Sequence, residues 1–308
     1  EASTVDSAFF RLAQVAIATT TYDDSAATTT YSSNTASDVA GFHTNWTSVR
    51  YLLTDGNRLL GAGAWETSGA RNSRVWFSPV LGSADKGDDE RTRSTTTQKD
   101  YVDLNENDGG FITGLGGPLN GNVIVFKYRQ TWKLVATGDV ATPYLPRRLS
   151  DQTGCIAHKS ICMGEDEAGR PALYFMSHKG PYRLGAGGLQ YLGRDNEDIW
   201  STINLGATSI VAHTLNHSDK HQVWFHVATG SNNDPDTRMM FDPLLGVVDE
   251  KNRVRGGWAE HTGNAPAARC SCMFSNTLGT NMSRDLKPHI GRATGTTILK
   301  GDTTTTDD

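Results

Sequence analysis

Short apolar runs recur along the chain at a nearly constant spacing. Each run ends in an aromatic residue, and the first four of these residues are Phe77, Phe126, Phe175 and Phe225. They lie about 49, 49 and 50 residues apart, and a weaker fifth run ends about 49 residues further on, at Phe274. Repeats of this length are typical of propeller blades, in which each unit buries its apolar face against a neighbour. The pattern therefore predicts a repeat protein.

The apolar runs predict antiparallel strands joined by tight turns. The clearest hairpin has Asp55-Gly56 between two apolar runs, because glycine tolerates the positive φ that a type I′ turn requires. No apolar pattern with the period of a helix persists for three turns. The predicted strands fall into five modules: 50–54, 57–61 and 74–78; 111–115, 123–128 and 131–135; 160–163, 173–176 and 181–184; 210–213, 223–226, 238–241 and 257–260; 270–274, 289–291 and 296–299.

These strands predict an all-β fold, a β-propeller of about six blades built from antiparallel sheets. Five modules of about 49 residues are visible, and we expect the N-terminal strand or loop region, residues 1–47, to complete the ring. Residues 1–308 are interpreted as a single propeller domain, with 302–308 as a C-terminal tail. A pair of two-sheet sandwiches is the alternative architecture.

Composition limits the possible functions. A formal net charge of −5 argues against a nucleic-acid-binding surface, which usually has a basic excess on one face. No apolar run approaches the roughly 18 residues of a membrane helix. Four cysteines in 308 residues are too few for a disulfide scaffold, so free thiols in a reducing compartment are expected.

The order of the strand and turn sequences resembles that of a known family. Its elements are residues 74–79 (Arg-Val-Trp-Phe-Ser-Pro), 110–115 (Gly-Phe-Ile-Thr-Gly-Leu), 125–127, 153–157 and 173–177, followed by 180–183 (Gly-Pro-Tyr-Arg). Over about residues 57–200 this order resembles the tail nozzle and tail tubular β-propeller proteins of tailed bacteriophages. The resemblance rests on structural phrases and includes no catalytic motif.

This resemblance implies a virion structural protein without enzyme activity, located in the phage tail and made in the host cytoplasm. Such a protein is a nozzle, tube or hub component that forms part of the DNA-ejection conduit. The implied partners are copies of itself, in a ring of about six, together with adaptor or portal-side proteins and fibre or distal tail proteins. Genomic DNA would pass transiently without specific binding, and no membrane is involved.

Two residue groups have the residue types of metal sites. A zinc site could be formed by Cys155, His158 and Cys162 together with the Cys270-x-Cys272 pair, since zinc prefers cysteine and histidine ligands. Cys162 belongs to an apolar strand, however, so these cysteines are interpreted as buried structural residues. The segment 103–109 (Asp-Leu-Asn-Glu-Asn-Asp-Gly) imitates the start of a calcium loop. Gly114 stands where the closing glutamate should be, which favours a plain strand-ending turn.

Other polar clusters are interpreted as surface features. The acidic stretch 165–167 is expected to be a solvated turn tip. The histidines at 213, 217, 221 and 226 cluster in sequence: His213 and His226 end predicted strands, while His217 and His221 lie in a polar loop, residues 216–220. Because no helix would bring them onto one face, a surface-loop interpretation is preferred to a metal or acid–base site. The glycine-rich stretch 114–117 precedes a strand and provides no helix N-terminus for a phosphate.

Two classes of function follow. We expect a virion structural protein, with no catalytic, cofactor-binding or metal-binding residues and no cofactor. The alternative is a propeller enzyme or glycan-binding module such as a glycoside hydrolase, whose necessary sign would be two carboxylates about 5–9 Å apart across a pocket. An interaction propeller of the WD type is disfavoured because its characteristic dipeptides are missing.

Overall fold

The computed structural model describes residues 43–44, 49–56, 58–66, 69–78, 92–93, 100–105, 108, 110–139, 142–249, 254–261, 268–275, 286–292 and 298–300. These residues form antiparallel strands with a few short helices, which confirms the all-β prediction. They divide into two compact units, one within Glu1–Leu104 and Thr137–Pro143, the other within Asn105–Ala136 and Tyr144–Asp308. The single propeller domain over 1–308 stays a prediction. The tail 302–308, and all of 1–47 except His43–Thr44, lie outside the described residues.

The first unit contains strands β1 (His43–Thr44), β2 (Tyr51–Asp55), β3 (Arg58–Glu66), β4 (Gly69–Phe77), β5 (Thr92–Arg93) and β6 (Tyr101–Asp103). Strands β2, β3, β4 and β6 pair in that order to form sheet I, and β1 pairs with β5. The predicted hairpin is confirmed, because Asp55 pairs with Arg58 and Gly56 has a φ of 56°.

The second unit contains sheets II to V. Sheet II consists of β7 (Ile112–Leu119), β8 (Asn122–Lys127), β9 (Thr131–Ala136) and β10 (Tyr144–Ser150). Sheet III consists of β11 (Cys162–Glu165), β12 (Pro171–Ser177), β13 (Gly180–Gly185) and β14 (Gly188–Tyr191). The outer strands β10 and β14 were not predicted. Ser160, predicted as a strand residue, lies in a 3₁₀ turn, His158–Ser160.

Sheets IV and V follow along the chain. The strands are β15 (Ala212–His217), β16 (Gln222–Val227), β17 (Thr237–Phe241), β18 (Val247–Val248), β19 (Val254–Arg255), β20 (Trp258–Glu260), β21 (Ala268–Ser275), β22 (Leu286–Arg292) and β23 (Ile298–Lys300). Strands β15, β16, β17 and β20 form sheet IV, β21 to β23 form sheet V, and β18 pairs with β19. The helices are short: α1 (Glu197–Trp200) and 3₁₀ turns at Gly193–Asn196, Ser218–Lys220 and Pro243–Leu245.

Sheets II, III and IV pack face to face through apolar side chains. Side chains alternate between the two faces of a strand, so β12 directs Leu173 and Phe175 towards sheet II and Tyr174 and Met176 towards sheet IV. The rings of Phe126 and Phe175 lie 4.6 Å apart between their centroids. Each of these two faces is therefore an ordinary apolar core.

Glycines allow sheet II to approach sheet III closely. A Cβ atom on Gly116 of β7 would lie 2.7 Å from Ile161 Cγ2 and 2.9 Å from Leu173 Cδ2, and one on Gly114 would lie 2.5 Å from Ile161 Cδ1. Only a residue without a side chain fits such a contact. The glycine-rich stretch 114–117 is thus part of strand β7, whereas the sequence pattern places it before a strand.

The aromatic repeat is in phase for three of its five members. Phe126, Phe175 and Phe225 all lie in the second strand of their sheets and are fully buried. Phe77 lies in the third strand of sheet I, and Phe274 lies in the first strand of sheet V with 56% of its surface exposed. A constant sequence spacing therefore does not fix the strand position, because the connecting segments differ in length.

Strands that begin successive sheets of the second unit contact one another. Strand β7 contacts β11 and β12, β11 and β12 contact β15, and β15 contacts β21. The short turn His158–Ser160 contacts β7, β12 and β15. No helix within the described ranges combines the length and apolar character needed to cross a membrane.

Candidate functional site: a buried histidine ladder and an aromatic groove

A row of basic side chains crosses sheet IV. The strand register places His213 of β15 opposite His226 of β16, and His226 opposite Arg238 of β17. The two imidazole rings are stacked, with centroids 4.3 Å apart and planes at 9°. All three side chains are buried. We call these three residues the histidine ladder.

Four nitrogens of the ladder have no hydrogen-bond partner among the residues that the structure describes. Both ring nitrogens of His213, Nε2 of His226 and Nε of Arg238 are buried without a hydrogen-bond partner. Burial, with the charges of Lys159 and Arg238, lowers the pKa of His213 to about 4. Burial and the same arginine also lower the pKa of His226, with His213 and His261 contributing. Both imidazoles are therefore neutral at neutral pH.

The structure corrects the surface-loop interpretation at His217, whereas His213 and His226 lie in strands as predicted. His213, His217 and His226 are buried in strands, and His217 packs against Trp224 at 5.5 Å between ring centroids. Only His221 is exposed, in a left-handed turn with a φ of 53°. The spacing 213, 215, 217 gives one face of a strand, and this period-2 signal could have identified the buried face.

A second feature is a surface groove of about 450 Å³ beside sheet III. The turn between β12 and β13 supplies one wall and α1 with the chain after it supplies the other. Its lining residues are His178, Lys179, Tyr182, Tyr191, Glu197, Trp200, Ser201, Ile203 and Leu205. Its volume falls within the roughly 300–1,000 Å³ range of small-molecule pockets.

The groove is mainly apolar and aromatic. The rings of Tyr182 and Tyr191 lie 5.1 Å apart, and the Tyr191 hydroxyl donates a hydrogen bond to the Lys179 carbonyl at 3.1 Å. Burial, with the charge of Glu197 contributing, raises the pKa of Tyr191 to about 12. The indole nitrogen of Trp200 is buried, with no hydrogen-bond partner in the described ranges. Such a surface can bind an apolar or ring-shaped group.

The groove lacks the pair of carboxylates that a glycoside hydrolase needs. Among its lining residues only Glu197 has a carboxylate, and its Oε1 accepts a hydrogen bond from Arg194 Nη1 at 2.9 Å. Burial and the charges of Arg129 and Lys179 lower the pKa of His178. The lining of the groove therefore supports binding of a ligand, and it does not place two carboxylates on either side of a glycosidic bond.

The segment that imitates a calcium loop binds a lysine instead. Lys127 Nζ donates to the two carboxylate oxygens of Asp108 at 2.8 and 3.0 Å and to the Asn105 carbonyl at 3.2 Å. Burial alone would raise the pKa of Asp108, but hydrogen bonds from Lys127 and from Gly110 N hold it below its ordinary value. Asn107 and Gly109 lie outside the described residues. The oxygen cluster thus stabilises a buried ammonium group.

The cysteines divide into two pairs. Cys155 is fully buried, with Sγ 3.1 Å from the Ala157 carbonyl, and burial raises the pKa of its thiol to about 11. Burial likewise raises the pKa of Cys162 to about 12. Cys270 and Cys272 are exposed, so the buried interpretation is wrong for them. The exposed face of β21, which also carries Phe274, holds both thiols because residues two apart share a face.

The acidic turn is also less solvated than predicted. Asp166 is buried and accepts hydrogen bonds from Ala168 N, Arg170 N and Arg170 Nε. Glu167 pairs with the fully buried Arg183, whose Nε also donates to Gln190 Oε1. Only Glu165 is largely exposed. Within the described residues, no group of three or more His, Cys, Asp or Glu side chains is placed to hold a metal ion.

Comparisons with known proteins add little. No protein-family model matches the chain, and no curated protein matches it. Among solved structures, a luciferin-regenerating enzyme is 11% identical and has a TM-score of 0.36, over 85% of this chain and 73% of its own. The extracellular domain of a hybrid two-component system from B. thetaiotaomicron is 12% identical with a TM-score of 0.35, over 81% of this chain and 33% of its own. Scores this low carry no argument about fold or function.

Proposed function

We propose that this chain is a virion structural protein, a β-propeller subunit of a phage tail nozzle, tube or hub that forms part of the DNA-ejection conduit. The observation that carries the proposal is the face-to-face packing of successive four-stranded sheets in the second unit. Sheets that bury both faces against neighbours form a stiff wall. The contacts between the strands that begin successive sheets are those expected around a propeller axis.

The proposed virion role comes from the resemblance of the strand and turn sequences to those of phage tail proteins. These sequences lie in the packed sheets, with 125–127 in β8, 173–177 in β12 and 180–183 in β13. They therefore serve the fold, as expected for a conduit subunit. The mild net charge of −5 suits a wall that passing DNA does not bind tightly.

A glycan-binding module is the second candidate, and the aromatic groove is the observation that favours it. Tyrosine and tryptophan faces beside polar groups suit sugar rings. We rank it below the structural role because the groove lining has a single carboxylate and the resemblance points elsewhere.

Electron microscopy of the purified protein, combined with native mass spectrometry, tests the proposal. We expect closed rings of about six copies around a central channel, and immunogold labelling at the tail of virions that carry this protein. A stable monomer that is absent from virions, or one that hydrolyses aryl glycosides, would overturn the structural role.

A further inference from the structure

The two walls of the groove beside sheet III differ in their charge. The turn between β12 and β13 carries the exposed Lys179, whereas α1 and the chain after it carry the exposed Glu197 and Ser201. The Lys179 ammonium forms no ion pair with a carboxylate of the described residues. The Glu197 carboxylate, in contrast, is balanced by Arg194, with 2.9 Å between Oε1 and Nη1. The groove therefore favours a negative group at the lysine wall over a positive group at the other wall.

A second cation lies beside the lysine wall. The ring of Tyr128 stacks on His178 with 5.7 Å between centroids and 22° between planes, and the guanidinium carbon of Arg129 lies 6.0 Å from the centroid of the Tyr128 ring. Burial and the charges of Arg129 and Lys179 lower the pKa of His178, so its imidazole is neutral at neutral pH. The positive charge at this wall thus comes from a lysine and an arginine, which are the side chains that bind carboxylate groups.

The aromatic floor between the walls is closely packed. Trp200 is buried and supports the floor from inside the protein, whereas Tyr182 and Tyr191 are half-buried and present ring surface to the groove. A Cβ atom on Gly180 would lie 3.2 Å from Trp200 Cβ and 3.3 Å from Tyr191 Cε2. One on Gly193 would lie 2.6 Å from Trp200 Cδ1 and 2.8 Å from Tyr191 Oη. Rings packed in this way need little rearrangement to receive a ligand, which reduces the free-energy cost of binding.

These groups together select a ligand that has a ring, hydroxyl groups and a negative charge. Tyrosine rings pack against the apolar face of a ring. Ser201 Oγ donates to the Asp198 carbonyl at 2.7 Å, so its lone pairs remain to accept a hydrogen bond, and the Glu197 carboxylate is an acceptor as well. Hydroxyl groups donate to such acceptors, and an anionic group pairs with the cations of the opposite wall. A fatty acid or a neutral sugar would use only part of this lining.

We propose that the groove beside sheet III is a binding site for an acidic saccharide. A sugar ring lies on Tyr182 and Tyr191, and its carboxylate pairs with Lys179. Hydroxyl groups of the saccharide donate to Glu197 and Ser201 at the other wall. This inference rests on the glycan-binding candidate of the proposed function, for which it names the class of ligand, and it does not depend on the virion role.

Isothermal titration calorimetry of the full chain tests the site. The acidic probes are trigalacturonate and 3′-sialyllactose, and their neutral counterparts are the fully methyl-esterified trigalacturonate and lactose. We expect saturable binding of at least one acidic probe, with a dissociation constant at least tenfold lower than that of its neutral counterpart. Sodium chloride at about 0.5 M should reduce this difference, because salt screens an ion pair in an open groove.

Two variants locate the ligand in the groove. Lys179→Gln removes one charge at an exposed position, so the dissociation constant of the acidic probe should rise at least fivefold while the unfolding midpoint and the binding of the neutral probe stay unchanged. Lys220→Gln is the matched control, because Lys220 is exposed in the turn Ser218–Lys220 and does not line the groove. Leu205→Glu places a carboxylate at an exposed lining position and should abolish binding of the acidic probe. Wild-type affinity in both groove variants would overturn the proposal.

The remaining outcomes separate this inference from the candidate function on which it rests. Equal affinity for an acidic probe and its neutral counterpart would overturn the acidic class and leave glycan binding intact. No saturable binding of any of these saccharides to the folded protein would overturn both. Tighter binding of 5′-AMP than of either acidic probe would overturn the inference in favour of a nucleotide. Ring assembly and virion location are measured separately, so the structural role can fail while saccharide binding stands.

Discussion

The imidazole rings of His213 and His226 lie face to face inside sheet IV, 4.3 Å apart between centroids, with Arg238 next in the same row. The opposite face of this sheet is an ordinary apolar core that contains Phe225 and Phe241. One sheet therefore has two chemically different faces. Within the described part of the chain, four ladder nitrogens on the polar face are buried without a hydrogen-bond partner, so the stability of this face depends on the imidazoles remaining neutral.

We expect the protein to lose stability as the pH falls from about 6.5 to about 4. The pKa of His213 drops from 6.5 to about 4 on folding, so within this window the unfolded chain binds protons that the folded chain does not. The contribution of His213 to the free energy of unfolding is fully present above its pKa in the unfolded chain. It is lost as the pH falls towards its pKa in the folded chain, by about 3 kcal/mol. Urea unfolding at intervals between pH 4 and pH 7 measures the slope.

The double variant His213→Phe/His226→Phe tests whether these two histidines cause the loss of stability at low pH. It removes both titrating rings but keeps aromatic stacking, so the slope between pH 4 and pH 6.5 should fall by more than half. His221→Asn is the matched control, because His221 is exposed and asparagine tolerates its left-handed φ of 53°. A double variant with the wild-type slope would show that other groups control the acid response.

Removal of the carboxylate beside Lys127 should be strongly destabilising. Asp108→Ala leaves a fully buried ammonium group whose remaining partner among the described residues is the Asn105 carbonyl at 3.2 Å, at an expected cost of about 3 kcal/mol. Thermal or urea unfolding measures this cost, and Asp219→Ala, at an exposed position, should change stability by less than about 0.5 kcal/mol. Restoration of most of the stability by Lys127→Met in the Asp108→Ala protein would confirm that the unpaired charge is the cause.

Calcium chloride should not raise the unfolding midpoint of the wild type, and a clear rise would contradict the lysine-bound assignment.

A side chain at Gly116 should disrupt the contact between sheets II and III. Gly116→Val forces new atoms against Ile161 and Leu173, at an expected cost of about 1–3 kcal/mol. Gly206→Ala is the control, because Gly206 is exposed and its added Cβ would make an ordinary contact, 3.6 Å from Asn204 Oδ1. Leu173→Ala makes room for the new atoms, so the double variant should be more stable than the sum of the single changes predicts. Strict additivity in urea unfolding would mean that the two positions do not compete for space.

Two of the four thiols should react in the native protein. Ellman's reagent attacks the thiolate, and burial raises the pKa values of Cys155 and Cys162 to about 11 and about 12, so both are almost fully protonated at pH 8. Cys270 and Cys272 are exposed and should react quickly. We expect two thiols titrated in buffer and four in denaturant. Cys270→Ser should reduce the native number to one, and four fast thiols in buffer would contradict the burial of Cys155.

The inner strands were predictable because their residues report burial directly. Continuous apolar runs such as 123–126 and 173–176 become β8 and β12, whose side chains are buried on both faces. The outer strands β10 and β14 escaped prediction because half-exposed strands such as Tyr144–Ser150 carry arginine, proline and serine. Pairing with a neighbouring strand, rather than their own composition, makes them strands.

The candidate site was harder to predict than the fold. His217 looks like a loop residue between Asn216 and Ser218, yet it continues strand β15 and is buried, as is His213. Asp108 has the sequence surroundings of a metal ligand, but in the folded protein it pairs with Lys127, 19 residues away in the sequence. The groove joins a turn at 178–179 with α1 and Leu205, and no local pattern connects these segments.

The all-β class, the main inner strands and the 55–56 hairpin follow from local sequence, because period-2 burial and turn chemistry depend on neighbouring residues only. Long-range packing sets which strand faces are apolar cores, which one carries the histidine ladder, and which distant side chains line the groove. Desolvation and pairing belong to a place in the folded protein, and a residue acquires them from the atoms that pack against it.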